Sequence, residues 1–450
     1  MLASDSRVAM SGAQYAPVTG LKPREFAARS LLDAERPGDF IEHRIEFQPG
    51  WDHLSDPDRR LAQELIFGVT RWRRTLDWLI QRKSDDRPQR PEILAILRLG
   101  LYQLFWLDRV PAHAAVDCSV ELARVLGVER QSGFINALLR GYVRQHEVTR
   151  RECMDLKRRD PALGWSHPTW LVERWQQRWP EAFLALLEWN NTPPPTYARV
   201  NTLRVTSAKL QEQWRDEGLI VENFSRDWIE EGQVFALLSH PPLTTLPSFR
   251  NGGFYIQDPS TLLAVRELDP QPEERILDLC SAPGGKTTLI AQHLQNRGRI
   301  VAHDNHPERL DLVRENCLRL GIHCVEVQPK PPSEEARFDR VLVDAPCSNT
   351  GVLRRRIELR WRLSLEDVTA LAAEQLGLLE RAAQWVRPGG LLVYSTCSLE
   401  PEENAGVIDS FLERHLEFDL DRERDLIPTR DGVDGAYVAR LISTAHPRTS

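Results

Sequence analysis

The residues best suited to chemistry stand at the ends of two apolar runs. One run closes on Asp344-Ala345-Pro346-Cys347-Ser348, the other on Ser395-Thr396-Cys397-Ser398, followed by Pro401-Glu402-Glu403-Asn404. If both runs are parallel strands, both thiols lie on the sheet edge where ligands bind. A paired thiol suits attack on a pyrimidine. Carbon 5 of cytosine is a poor nucleophile. A thiolate adding at carbon 6 turns the ring into an enamine, and carbon 5 then attacks a methylsulfonium. The carbon-5 proton must next leave and the thiol be expelled. One Cys serves as activated nucleophile and a second aids release; on these grounds alone either could take either part. A free thiol, with a pKa of about 8.5, is only a few per cent ionised at neutral pH, so the site must lower that of the attacking group. Asp344 does not help that ionisation. It is better placed to hydrogen-bond the exocyclic amine or protonated ring nitrogen of cytosine, help of a kind that contributes roughly 10²–10⁴-fold.

An earlier strand-like run ends in Cys280-Ser281-Ala282-Pro283-Gly284-Gly285-Lys286-Thr287. A glycine pair between strand and helix lets backbone approach a ligand closely. The phosphate-loop pattern GxxxxGK[ST] fails here for want of its first glycine, and the dinucleotide pattern GxGxxG is absent. Neither ATP nor NAD is favoured. The next strand-like run ends in Asp304, eighteen residues past Lys286. A carboxylate there can accept both ribose hydroxyls. The set fits an adenosyl cofactor without a phosphate chain, S-adenosyl-L-methionine. Its expected contacts are Cys280, Ser281, Ala282, Pro283, Gly284, Gly285, Lys286, Asp304 and Asp344.

Beyond Cys347, Arg354, Arg355, Arg356, Arg360 and Arg362 crowd into nine residues with Trp361 among them. Beside an active site, such a run is expected to grip phosphate and stack on bases of RNA. The target base must leave its stack, at a cost of a few kcal/mol.

These residues need elements to hold them. At 450 residues the chain is too long for one core, and domains of roughly 100–200 residues give two to four. A polar tail is expected at 1–20. Residues 21–147 read as all-helical, with helices over Pro23 to Leu32, Asp56 to Gln81, from Pro91, over Ala112 to Leu126 and over Ser132 to Arg144. Residues 148–250 read as a small α/β subdomain. From 251 to 447 strands and helices alternate, which predicts a parallel sheet covered on both faces. The seven Cys include no CxxC pair, which argues against a disulfide scaffold and against a cysteine-bound metal. That usage fits a reducing cytoplasm. No apolar run approaches the roughly 18 residues of a membrane span. The net charge of −7 does not announce a polyanion partner, though a local basic face can exist on an acidic protein. Nothing requires more than a monomer.

Taken together, "LCSAPGGKT", "DAPCSNTG", "VYSTCSLEPEEN" and "DGVDGAYVARL" resemble the Sun/Fmu family of bacterial 16S rRNA cytosine-carbon-5 methyltransferases. "RVPAHAAVDCSVELAR" and "FINALLRGYVRQ" are similar to the NusB-like RNA-binding helical domain fused to that family, and "HPTWLVERW" and "ARVNTLR" to its linking subdomain. The resemblance spans nearly the whole chain from about residue 21. It implies a Rossmann-like methyltransferase sheet, Cys397 as nucleophile, Cys347 as release residue, and rRNA as partner. The same catalytic set also serves tRNA. A non-catalytic RNA-binding assembly factor and a small-molecule methyltransferase are the competing classes; retention of both Cys and of the glycine turn argues against the first, and the helical domain against the second.

Three stretches depart from the family pattern. The third strand usually ends in a Gly-Asp pair that reads the adenine; here Gln328-Pro329 stands there, and the Gln328 side-chain oxygen is the expected substitute acceptor. The family's "RRHPDIKW" becomes "RRRIELRW" over Arg354 to Trp361, and Ala436 replaces an aromatic.

Overall fold

The computed structural model describes residues 23–33, 41, 45 and 47–444, so the expected tail lies outside the described residues. The chain forms two compact units, one ending at Arg178 and one beginning at Trp179.

The first unit is helical. Its main helices are Pro23–Asp33, Asp56–Arg71, Arg73–Ser84, Pro91–Trp106, Ala112–Val125, Ser132–Arg144, His146–Arg159 and Thr169–Arg178. Ser55 starts the second by accepting from the Asp58 N–H, and Pro91 starts the fourth, where a missing N–H is harmless. Leu65, Leu76, Leu97, Leu101 and Leu139 meet in a sealed core, each contributing roughly 1.5–3 kcal/mol by leaving water. Gly68 is required by a close crossing: a Cβ there would lie 1.9 Å from the Tyr102 ring. The single helix expected over Asp56 to Gln81 is instead two. It breaks at Trp72 (φ −99°, ψ 15°), whose ring packs on Trp106 at 5.1 Å. Apolar spacing runs through the break unchanged, so periodicity alone did not reveal it.

The second unit holds two sheets. The small one has strand order β2-β3-β1-β4, with β1 Thr196–Val200, β2 Ile220–Phe224, β3 Val234–Ser239 and β4 Phe254–Ile256, all pairs antiparallel. β4 carries this sheet beyond the boundary expected at 250. The large sheet comprises β5 Arg275–Asp278, β6 Arg299–His303, β7 Val325–Gln328, β8 Phe338–Asp344, β9 Val386–Thr396, β10 Phe418–Leu426 and β11 Ala436–Ser443. Its order is β10-β11-β9-β8-β5-β6-β7. Neighbours alternate faces as a pleat demands. Ile276, Leu342 and Val393 join helices Leu262–Leu268, Gly285–His293 and Pro307–Leu320 on one side. Leu277, Val341 and Tyr394 join helices Leu365–Ala383 and Ala405–Arg414 on the other.

Strands β5 to β9 are parallel, as expected. The sheet as a whole is mixed, which the expectation of a parallel sheet missed: β11 runs antiparallel to both β9 and β10. The connection from β10 to β11 is too short for a crossover, so the pair must form a hairpin. β6 and β8 leave β5 on opposite sides, which sets a topological switch point at the carboxyl end of β5.

Candidate active site

After β5 the chain turns to Gly284, whose φ of +101° suits glycine, and enters helix Gly285–His293. A Cβ on Gly285 would sit 3.3 Å from both Gln257 and Tyr255. Arg199 of β1 reaches under this turn, 1% exposed. It donates to the Gly285 carbonyl at 2.8 Å and to Thr288 Oγ1 at 2.9 Å, and burial pulls its pKa down to about 9. Asn201 likewise ties β1 to the carbonyls of Gly252 and Leu320. Asp304, just past β6, accepts from the N–H groups of Ala282 (3.1 Å) and His306 (2.9 Å). It therefore shapes the turn. Burial pushes the Cys280 thiol upward. Asp278 is fully buried and accepts from Thr287 Oγ1 at 2.6 Å; burial raises its carboxyl to about 7. Asp278 Oδ1 and Ser281 Oγ are buried without a hydrogen-bond partner. Orphaned polar atoms beside a glycine cradle fit a polar ligand such as the amino-acid and ribose parts of S-adenosyl-L-methionine. Gln328 closes β7, and its amide nitrogen donates to Glu326 Oε1 at 2.6 Å.

Lys286 is not directed at a phosphate site. Its ammonium meets Asp344 Oδ2 at 2.6 Å, while Ser395 Oγ donates to Asp344 Oδ1 at 2.8 Å. Burial alone would lower the Lys286 pKa, but the charge and hydrogen bond of Asp344 and the nearby Cys397 carry it upward. Two donors leave Asp344 further lone pairs for a substrate.

The two candidate thiols converge. Cys347 Sγ and Cys397 Sγ are 3.2 Å apart. Asn349, in the left-handed region that asparagine tolerates, accepts from Cys397 Sγ at 3.1 Å and donates to the Cys347 carbonyl at 2.6 Å. The thiols are not equivalent. Cys347 is 8% exposed and Cys397 more so. The hydrogen bond with Cys397, then burial, and the charges of Cys397 and Glu403 push the Cys347 thiol well above its ordinary value. Backbone joins the motifs directly: Gly351 N–H donates to the Cys397 carbonyl and Gly435 N–H to that of Gly351, both at 2.9 Å.

The arginine run is partly interior, contrary to expectation: Arg354 and Arg360 are buried, while Arg362 is exposed. Arg354 (3% exposed) pairs with Asp434 and lies over the Trp189 ring at 4.0 Å. Arg355 bridges Asp434 and Asp258. Arg360 (1% exposed) donates to Asn191 Oδ1 at 2.8 Å and the Asn190 carbonyl at 2.9 Å. Desolvated guanidinium groups held by buried carboxylates and amides are fixed to the protein. Arg354 and Arg360 are thereby removed from the RNA-gripping set, and Arg355 is held in the same network. Arg356 and Trp361 are half-buried. Reading the sequence missed Arg199, Asn349 and Glu403; "ARVNTLR", "PCSN" and "EPEEN" carried them, but a role needs their distant partners. Among the described residues, no group of three or more His, Cys, Asp or Glu could hold a metal ion, and no helix is long and apolar enough to cross a membrane.

A sheet of this order, with a glycine turn after its first strand and an acidic residue closing the next, defines an S-adenosyl-L-methionine-dependent methyltransferase. Comparison with known proteins narrows the class. The chain belongs to the 16S rRNA methyltransferase RsmB/F family, matched over residues 265–442, with the NusB family over 21–144 and the RsmF/B-like ferredoxin-like domain over 167–231. It is 37% identical over 407 residues to the probable ribosomal RNA small subunit methyltransferase B of Synechocystis sp., covering 88% of this chain and 90% of that protein. It is 33% identical over 444 residues to its Bacillus subtilis namesake, covering 93% and 98%. A solved methyltransferase homologue from Pyrococcus horikoshii superposes with a TM-score of 0.56 at 30% identity, over 63% of this chain and 98% of that one.

Proposed function

We propose that this protein transfers a methyl group to carbon 5 of a cytosine in small-subunit rRNA, through a covalent bond between Cys397 and carbon 6. The observation that carries this reading is the 3.2 Å approach of Cys347 and Cys397 beside Asp344. Bound S-adenosyl-L-methionine supplies the electrophilic methyl group. Cys280 to Lys286, Asp304 and Gln328 would hold it, with Ser281 Oγ and Asp278 Oδ1 available to its polar edges.

Asp344 holds the base edge by accepting from the exocyclic amine, with Lys286 and Ser395 fixing its orientation. Cys397, the more accessible thiol, releases its proton to solvent and adds to carbon 6 as the thiolate. Carbon 5 then forms its bond to the methyl carbon as the methyl–sulfur bond breaks. Loss of the carbon-5 proton to a base restores the double bond and expels the Cys397 thiolate. Cys347, kept as a thiol by its surroundings, donates its S–H to that departing sulfur. Arg356, Trp361 and the exposed Arg362 remain the members of the basic run proposed to touch RNA, and the NusB-like helices the second contact.

Bisulfite sequencing of RNA from cells with and without the gene tests the substrate. The expected result is one small-subunit rRNA cytosine that resists conversion only when the gene is present. Gene-dependent protection in tRNA alone would move the substrate there. Protection unchanged in all RNA would favour a non-catalytic assembly role.

A further inference from the structure

The segment after Cys397 contains a carboxylate that the chemistry above does not use. Glu403 is fully buried. Its Oε1 accepts from the Ser348 N–H at 2.8 Å and from Gln375 Nε2 at 3.0 Å. Its Oε2 accepts from the hydroxyls of Ser348 and Ser398. Ser348 follows Cys347 and Ser398 follows Cys397, so one carboxylate holds the residue after each thiol. The surroundings stiffen this tie. Gln375 also donates to the Pro346 carbonyl at 2.8 Å. Tyr394 OH donates to the Glu403 carbonyl at 2.6 Å, and Thr350 Oγ1 accepts from the Leu399 N–H at 2.9 Å. A carboxylate is acceptor-only and offers about four lone-pair sites; here four donors fill it. Such a network is rigid when fully satisfied. A loop-borne thiol misplaced by about an ångström loses much of its rate.

We infer that Glu403 is the positioning residue of the thiol pair: it clamps the two cysteine-bearing loops together and thereby sets the sulfur–sulfur approach. This rests on the proposed roles of Cys347 and Cys397 only for its catalytic consequence, since the clamp itself concerns geometry.

The test separates the two. Phenylarsine oxide captures converging thiols: arsenic(III) forms two As–S bonds, the two thiol protons leave with its oxygen as water, and no redox change occurs. Capture by the full-length chain is titrated with Cys397→Ala as the blank. Glu403→Ala is expected to weaken capture about tenfold, the factor a lost charge-assisted hydrogen bond gives. Glu403→Gln is expected to restore most of it, because its amide oxygen still accepts from the Ser348 and Gln375 N–H groups while its NH₂ donates to the rotatable hydroxyls. Capture by Glu403→Ala equal to wild type would overturn the inference, as would Glu403→Gln performing no better than Glu403→Ala. If Glu403→Ala does not fold, judged by loss of a cooperative thermal transition, Ser398→Ala replaces it: weakened capture supports the clamp and undiminished capture overturns it. Failure of the catalytic reading is visible separately, as absence of a covalent RNA adduct in Cys347→Ala with Glu403 intact.

Discussion

Cys347 and Cys397 differ in what surrounds them more than in where they are. Cys347 faces Glu403 and the other thiol in a sealed place, an environment that keeps it protonated. Cys397 is the more exposed of the two and donates to Asn349 Oδ1 at 3.1 Å. A second buried acid, Asp278, makes stability depend on pH. Its carboxyl sits at about 7 in the folded protein and at about 3.9 when unfolded. Between those values the folded state holds a proton that the unfolded chain has lost, so stability falls as pH rises through the window. Asp278→Asn removes this titration. Relative to wild type the variant should gain up to about 4 kcal/mol between pH 4 and pH 8, seen as a thermal midpoint that rises against wild type only at the higher pH. A constant difference at both pH values would show that Asp278 does not titrate in that range.

At the scale of elements, the site is a junction of the carboxyl ends of β5, β6, β7, β8 and β9 and a hairpin. Gly351 passes between the Cys397 carbonyl and Gly435, and an added Cβ would lie 2.7 Å from that carbonyl oxygen. Gly351→Ala should therefore force the loops apart. Overpacking of this kind costs about 1–3 kcal/mol, and methyl transfer should fall by at least tenfold while S-adenosyl-L-methionine affinity, measured by calorimetry, holds. Unaltered turnover would mean the loops yield without moving the thiols. The strand ends themselves were legible, because the chemistry demands contiguous residues: the glycine turn, Asp344 with Cys347, and Cys397. What sequence hid were partnerships across distance. The Arg run resembled an RNA grip because the acids that neutralise Arg354 and Arg355, Asp434 and Asp258, stand 80 and 97 residues away. Arg199 gave no sign of supporting the glycine turn 86 residues on. The β10–β11 hairpin is hidden because the order of strands along the chain does not state their direction, and β11, inside "DGVDGAYVARL", pairs antiparallel to both neighbours.

For the whole molecule, an acidic chain must still engage a polyanion. The helical unit supplies a local answer: Arg150, Arg151, Arg158 and Arg159 are exposed on helix His146–Arg159. If they neutralise phosphates, replacing all four by Gln should weaken rRNA binding and reduce the slope of log affinity against log salt by about 0.7–0.9 per lost contact. Equal slopes in filter binding would place the phosphate contacts elsewhere. The central claim is narrower, and one measurement meets it directly. Cys347→Ala protein is incubated with unmodified small-subunit rRNA and S-adenosyl-L-methionine, denatured, digested, and the cross-linked peptide sequenced by mass spectrometry. The account predicts a methylated cytidine joined to Cys397. A nucleotide joined to any other residue, or no adduct where wild type methylates the RNA, would contradict it.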